Sequence, residues 1–167
     1  SPDFIAVAQE IAEAANAAKA GDLEAVKALA LGDSTVGLVV ENLAIRIGEK
    51  IQLGRIVYFD GPVVSYMHKR AADLPPAIGV LVEFTGDNDD AARGAAKQVA
   101  AMRPQYLTRD EVPAEIVAHE REIAEATSRG EGKPEQAIAK ITEGRLNGFF
   151  KEVVLLEQPS VTENKRT

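Results

Sequence analysis

Two histidines carry the side-chain acid–base capacity that this sequence offers near neutral pH, since it has no cysteine. His119 stands among Glu115, Glu120 and Glu122 in a heavily charged stretch. That pattern reads as a solvated helix face, whereas a general base needs a partner positioned in a cleft. His68 is placed differently. It closes the run Val63-Val64-Ser65-Tyr66-Met67-His68 and precedes a loop over 69–76. Side chains at strand ends and loops are those a fold presents to partners. The bland alternative is a hydrogen-bonded histidine at a sheet edge. Pairing His68 with Asp73 would suggest a hydrolase, but no nucleophile motif accompanies them. Asp87, Asp89 and Asp90 form an acidic turn. A metal loop is the sharper reading of that turn, but it lacks the mid-loop Gly and distal Glu of a calcium hand. Acidic residues at a helix N-terminus account for it more simply. There is no glycine-rich phosphate loop, no G-x-S-x-G elbow and no histidine pair at ligand spacing. These residues therefore give only thin support to an enzyme, a metal site or a cofactor.

The totals narrow the field further. The chain has 167 residues, is 46% hydrophobic, and carries a formal net charge of −7 with a pI of about 4.9. That length supports one or two domains with a sizeable core. The acidic balance disfavours direct nucleic-acid binding. Absence of cysteine removes disulfides and thiolate metal sites and suits a reducing cytoplasm. No apolar run is long enough to span a membrane.

The elements that would position His68 centre on residues 50–86. Ile51, Leu53, Val57 and Phe59 alternate with more polar neighbours and predict a first strand. Asp60-Gly61-Pro62 predicts a hairpin turn into a second strand over 63–68. Ile78, Val80, Val82 and Phe84 predict a third strand with one buried face. Before this sheet, Phe4, Val7, Ala8, Ile11, Ala15 and Ala18 mark an amphipathic helix, with Phe4 in its core stripe and Gly21 as its stop. Asp22 caps a short helix carrying Leu23, Val26 and Leu29. Gly32-Asp33-Ser34 breaks that helix and caps the next, whose stripe is Val36, Val40, Leu43 and Ile47 and whose end is near Gly48. After the sheet, a helix over 91–102 aligns Ala92, Ala95, Ala96, Val99 and Met102. Thr108-Arg109-Asp110-Glu111 reads as a capping box, with Pro113 in the first turn. Helices over 114–128 and from 135 to about 150 form an antiparallel hairpin. Its narrow stripes (Ile116, Ile123, Ile138, Ile141) and rich charge suggest a protruding arm. Val153-Val154-Leu155-Leu156-Glu157 predicts a last strand returning to the sheet. The fold class is α+β, a small antiparallel sheet covered by helices with a projecting two-helix hairpin.

Taken in order, these segments resemble the elongation factor Ts family. The resemblance rests on Ile47-Gly48-Glu49-Lys50-Ile51 running to Arg55, on Gly61-x-Val63-x-Ser65-Tyr66-x-His68, and on Ile78-Gly79-Val80-Leu81-Val82. Gly132-Lys133-Pro134, Glu143-Gly144-Arg145 and Leu155-Leu156-Glu157-Gln158-Pro159 extend it over essentially the whole chain. It implies a cytoplasmic guanine-nucleotide exchange factor for the GTPase elongation factor Tu. The implied organisation is a remainder of the N-terminal core half (1–54), a C-terminal core half (55–107 with 151–167) and the hairpin arm (108–150). The family's partner-contacting isoleucine falls on Ile47 and its contacting histidine on His68, with Tyr66 and Met67 in the same motif. A homodimer or a two-to-two complex fits the same reading. A non-catalytic interaction or dimerisation module using the hairpin is the alternative. The family's small N-terminal helical domain, its Thr-Asp-Phe-Val segment and its closing segment have no counterpart here. The resemblance therefore implies docking on elongation factor Tu with weaker exchange than a complete factor gives.

Overall fold

The computed structural model describes residues 1–167 and shows an α+β chain in two compact units, Ser1–Pro62 and Val63–Thr167. In the first unit, α1 spans Pro2–Ala17, α2 spans Leu23–Lys27 and α3 spans Val36–Ile47. The two-residue strands β1 (Ala30–Leu31) and β2 (Ser34–Thr35) pair between α2 and α3. The caps follow local chemistry. Asp22 accepts from the Ala25 amide at 2.9 Å, satisfying an amide that has no partner inside α2. Gly48 ends α3 at φ +78°, a left-handed conformation that costs little without a Cβ. Ile11, Ala15, Val26, Val36 and Val40 form the core, with Ile51, Leu53 and Ile56 packed on it.

Three expectations change here. Residues 51–59 are not a strand. Ile51 and Leu53 serve the helical core instead, Val57 is exposed, and the sheets are two-stranded without the segment. Alternation reports an extended backbone with one face covered, and a helix layer covers it as well as a neighbouring strand does. Close approach holds the segment's end in place. A Cβ on Gly21 would come within 3.4 Å of Tyr58, and Lys19 meets Asp60 at 3.3 Å. Phe4 is not core but 47% exposed, because burial on α1 is confined to its later turns at Ile11 and Ala15. The cap of α3 is Thr35 rather than the Gly32-Asp33-Ser34 turn, which closes the β1–β2 hairpin.

In the second unit, β3 (Val63–His68) pairs antiparallel with β4 (Ile78–Glu83), and α4 (Asp89–Met102) packs on both. Asn88 caps α4 through the Ala91 amide at 3.0 Å. The buried residues of α4 are Ala92, Ala96 and Ala100, and small side chains let the helix lie close to the strands. Met102 ends outside this stripe, 39% exposed. The hairpin is α5 (Ala114–Gly130) and α6 (Glu135–Val153), packed along their length. Ala124, Ser128, Ile138, Thr142 and Leu146 are buried on these helices. Ion pairs Arg121–Glu143 and Arg145–Glu131 link the two helices and the turn. At the base, Val112, Leu146, Phe150, Val153 and Val154 form a second core.

The predicted strand over 153–157 is instead the end of α6, a parallel bridge from Val154 to Tyr106, and a 3-10 turn, Leu155–Glu157. Helical contacts at Phe150 and Val153 extend α6 past the expected stop. The expected capping box is not made. Thr108 makes no side-chain cap, while Glu111 accepts from the Leu107 amide at 2.8 Å. Residues Arg109–Glu111 form a separate 3-10 turn, and Pro113 becomes the N-cap of α5.

Gly144 and Gly148 lie exposed inside α6, and a Cβ at either would meet nothing within 4 Å. Gly144→Ala and Gly148→Ala should each raise stability by about 0.5–1 kcal/mol by removing glycine's entropy cost in a helix. A higher urea midpoint with an unchanged slope is the expected readout. A lowered midpoint would refute it.

Candidate functional site

β3 forms because Val63 and Val64 enter a run whose alternate side chains fit a pleated, half-covered surface. Its register with β4 sets Val64 opposite Val82, Tyr66 opposite Val80, and His68 opposite Ile78. Val64 is buried and Tyr66 and His68 are half-buried on one face, while Val63, Ser65 and Met67 occupy the exposed face. The strand thus brings Tyr66 and His68 together and sends Met67 to the opposite side. Met67 is 59% exposed, and its sulfur lies 3.3 Å from where a Cβ on Gly79 would stand. A larger residue at position 79 would push the thioether aside.

The Tyr66 hydroxyl and His68 Nδ1 are 3.1 Å apart, with the rings tilted by 51° and their centroids 5.9 Å apart. With the phenol as donor, Nδ1 accepts and the neutral imidazole carries its proton on Nε2. That arrangement orients a hydrogen-bonding, stacking group. It is not the carboxylate-oriented imidazole of a nucleophilic site. The His68 carbonyl accepts from the Ala77 amide at 2.9 Å, which closes the base of the loop over 69–76. His119 is exposed on α5.

Ile47 belongs to the first unit. It is the last residue of α3, is half-buried, and lines a shallow depression of about 430 Å³ with Phe4, Glu49 and Ile51. The Gly48 amide donates to the Ala44 carbonyl at 2.9 Å, so the helix end that carries Ile47 is fixed. Sequence reasoning missed Ile45, two residues earlier and 79% exposed, and Leu38, 52% exposed. Their signal was present: both are large apolar residues off the Val36, Val40, Leu43, Ile47 stripe. It also missed Leu81, 53% exposed on the same open sheet face as Met67. Of the hairpin stripe, Ile138 is buried, Ile116 and Ile141 are half-buried, and Ile123 is exposed. No helix is long and apolar enough to cross a membrane.

A family model described as "Elongation factor TS" matches residues 1–167. Among curated proteins, the chain is 78% identical over 165 residues to "Elongation factor Ts" of a Nocardioides species, covering 99% of this chain and 61% of that protein. It is 60% identical over 165 residues to the protein so named from Saccharopolyspora erythraea, again covering 99% and 61%. Over 169 residues it is 62% identical to that of Nocardia farcinica, covering 99% of this chain and 62% of the relative. The chain thus spans 61–62% of the length of these relatives.

Proposed function

The chain belongs to the elongation factor Ts family, and from that premise we propose that it acts in the cytoplasm as a guanine-nucleotide exchange factor on elongation factor Tu. The observation that carries the proposal is the family match across residues 1–167, including both candidate contact motifs. Exchange is linkage and involves no bond-making. A factor that binds the nucleotide-free GTPase more tightly than its GDP form must weaken GDP binding by the same factor. Ile47, at a fixed helix end, supplies apolar contact. His68, oriented by Tyr66, supplies a hydrogen-bonding or stacking contact. Met67 contributes from the other face of β3, where Leu81 also lies open. The parts in this reading are core halves over 1–54 and over 55–107 with 151–167, plus the arm over 108–150. The closed α5–α6 hairpin supports the arm, while the compact units divide between Pro62 and Val63 rather than at 54. The test is release of labelled GDP from elongation factor Tu with rising concentrations of this chain. Release should quicken to a plateau. An unchanged rate at concentrations where the two proteins are bound would refute the proposal.

A further inference from the structure

The segment Leu155-Leu156-Glu157-Gln158-Pro159 has no role in the contacts proposed above, yet it holds a fully buried amide. The Gln158 side chain is 1% exposed. Its Nε2 donates to the carbonyl of Glu152 at 2.7 Å and of Met102 at 3.4 Å, while its Oε1 accepts from Gln98 Nε2 at 3.2 Å. Met102 is the last residue of α4 and Glu152 is next to last in α6. One side chain thus serves C-terminal carbonyls of two helices, groups that their own helices leave without a partner. Gln98, which also donates to the Pro159 carbonyl and accepts from the Val161 amide, anchors the same segment on α4.

A second node sits beside it. The Arg109 guanidinium donates through Nε to Glu157 at 3.0 Å and through Nη2 to the other oxygen of the same carboxylate. Nη1 reaches Asn147 Oδ1 on α6 at 3.2 Å, and the guanidinium carbon stands 4.2 Å from the centre of the Phe150 ring. A forked, ring-stacked arginine fixes direction as well as distance. The hydrogen bond from Arg109 holds the Glu157 carboxyl below its ordinary pKa.

We propose that Gln158, which ties α4 to the end of α6, and Arg109, which ties the two connecting segments to each other and to α6, are positioning residues forming a two-point clamp that fixes the angle between the α5–α6 arm and the α4–sheet layer. The arm's helices pack on each other and on the Leu155–Glu157 turn, whereas α4 packs chiefly on β3 and β4. The chain passes between the two bodies through 103–113 and 153–158. Without the clamp the joint that remains is the short backbone pairing of 105–107 with 153–156, and two bodies joined through so few residues turn about them. With it, the arm and the layer carrying Tyr66 and His68 move as one body. The clamp stands whether or not the chain acts on elongation factor Tu.

The absence of cysteine makes the test direct. Lys97→Cys on α4 and Lys133→Cys at the arm's turn carry spin labels in the full chain, and pulsed electron resonance reads the distance distribution. A single narrow distribution is expected for the parent. Gln158→Leu and Arg109→Met should each broaden it and shift its mean while helix content by circular dichroism is retained. Arg109→Lys, which keeps the charge but not the fork, should not restore the narrow distribution. Distributions as narrow as the parent's in both Gln158→Leu and Arg109→Met would overturn the clamp. Should Gln158→Leu fail to fold, Arg109→Met decides on the same terms, since Arg109 is half-exposed and its loss leaves no buried orphan.

Discussion

Phe150→Ala is expected to destabilise the chain by about 3–5 kcal/mol, the range for removing a buried aromatic ring. Phe150 is 6% exposed in the cluster with Val112, Leu146, Val153 and Val154. Two further contacts depend on its ring. Arg109 stacks on it, and the Phe149 ring lies 5.7 Å away at a tilt of 55°. Truncation leaves a cavity where the end of α6, the entry to α5 and the Tyr106–Val154 bridge meet, a place with little freedom to collapse. Typical domain stabilities are only about 5–15 kcal/mol, so the loss should be plain as a lowered urea midpoint. Phe149→Ala, at a half-buried position, should cost clearly less. Equal losses, or a Phe150 cost under about 1 kcal/mol, would refute this reading of the arm's base.

His68→Ala is expected to weaken association with elongation factor Tu by about 2 kcal/mol, roughly 30-fold, as for an interface anchor. The loss of fold stability should stay under about 1 kcal/mol, because the imidazole is half-buried and its side-chain contact is with the neighbouring Tyr66 hydroxyl. Tyr66→Phe separates the two contributions of the pair. It keeps the ring on the half-buried face of β3 and removes only the hydroxyl that orients His68. It should fall between the parent and His68→Ala in affinity. Calorimetry for binding and thermal melting for stability give the two readouts. Unchanged affinity with a lowered melting temperature would make His68 a sheet-edge structural residue.

The elements that were legible in the sequence are those whose cause is local. Asp22 caps α2, Gly48 ends α3, and alternation from Ile78 marks β4, because each depends on neighbours within a few residues. The hairpin was legible for the same reason, with two amphipathic helices and a short Gly-containing turn. Residues 51–59 misled because period-2 alternation is blind to what covers the apolar face, and here Ile51 and Leu53 meet helices. Phe4 misled because helical spacing identifies a stripe but not how far along it the neighbours reach. Val153–Glu157 misled because two β-branched residues before two leucines favour a strand locally, while the tertiary core at Phe150 holds the helix through Val153. In the candidate site, the position of His68 at a strand end was legible. Its pairing with Tyr66 follows from the two-residue repeat only once the strand is certain. Gln158 was invisible as a structural node, since a buried amide bridging two helix ends leaves no periodic signal. The exposed Ile45 and Leu38 were missed, although both are large apolar residues off the α3 stripe.

The most direct test of exchange is the dissociation rate of labelled GDP from elongation factor Tu at saturating chain, with the affinity for the nucleotide-free and GDP-bound forms measured in the same buffer. A ligand that binds both forms equally shifts nothing, however tightly it binds. The expected result is saturable acceleration, with the nucleotide-free form bound more tightly by at least about 5-fold, the lower end of typical coupling between sites. Equal affinity for the two forms with an unchanged GDP rate, or no binding to either form, would contradict the assignment of this chain as an exchange factor.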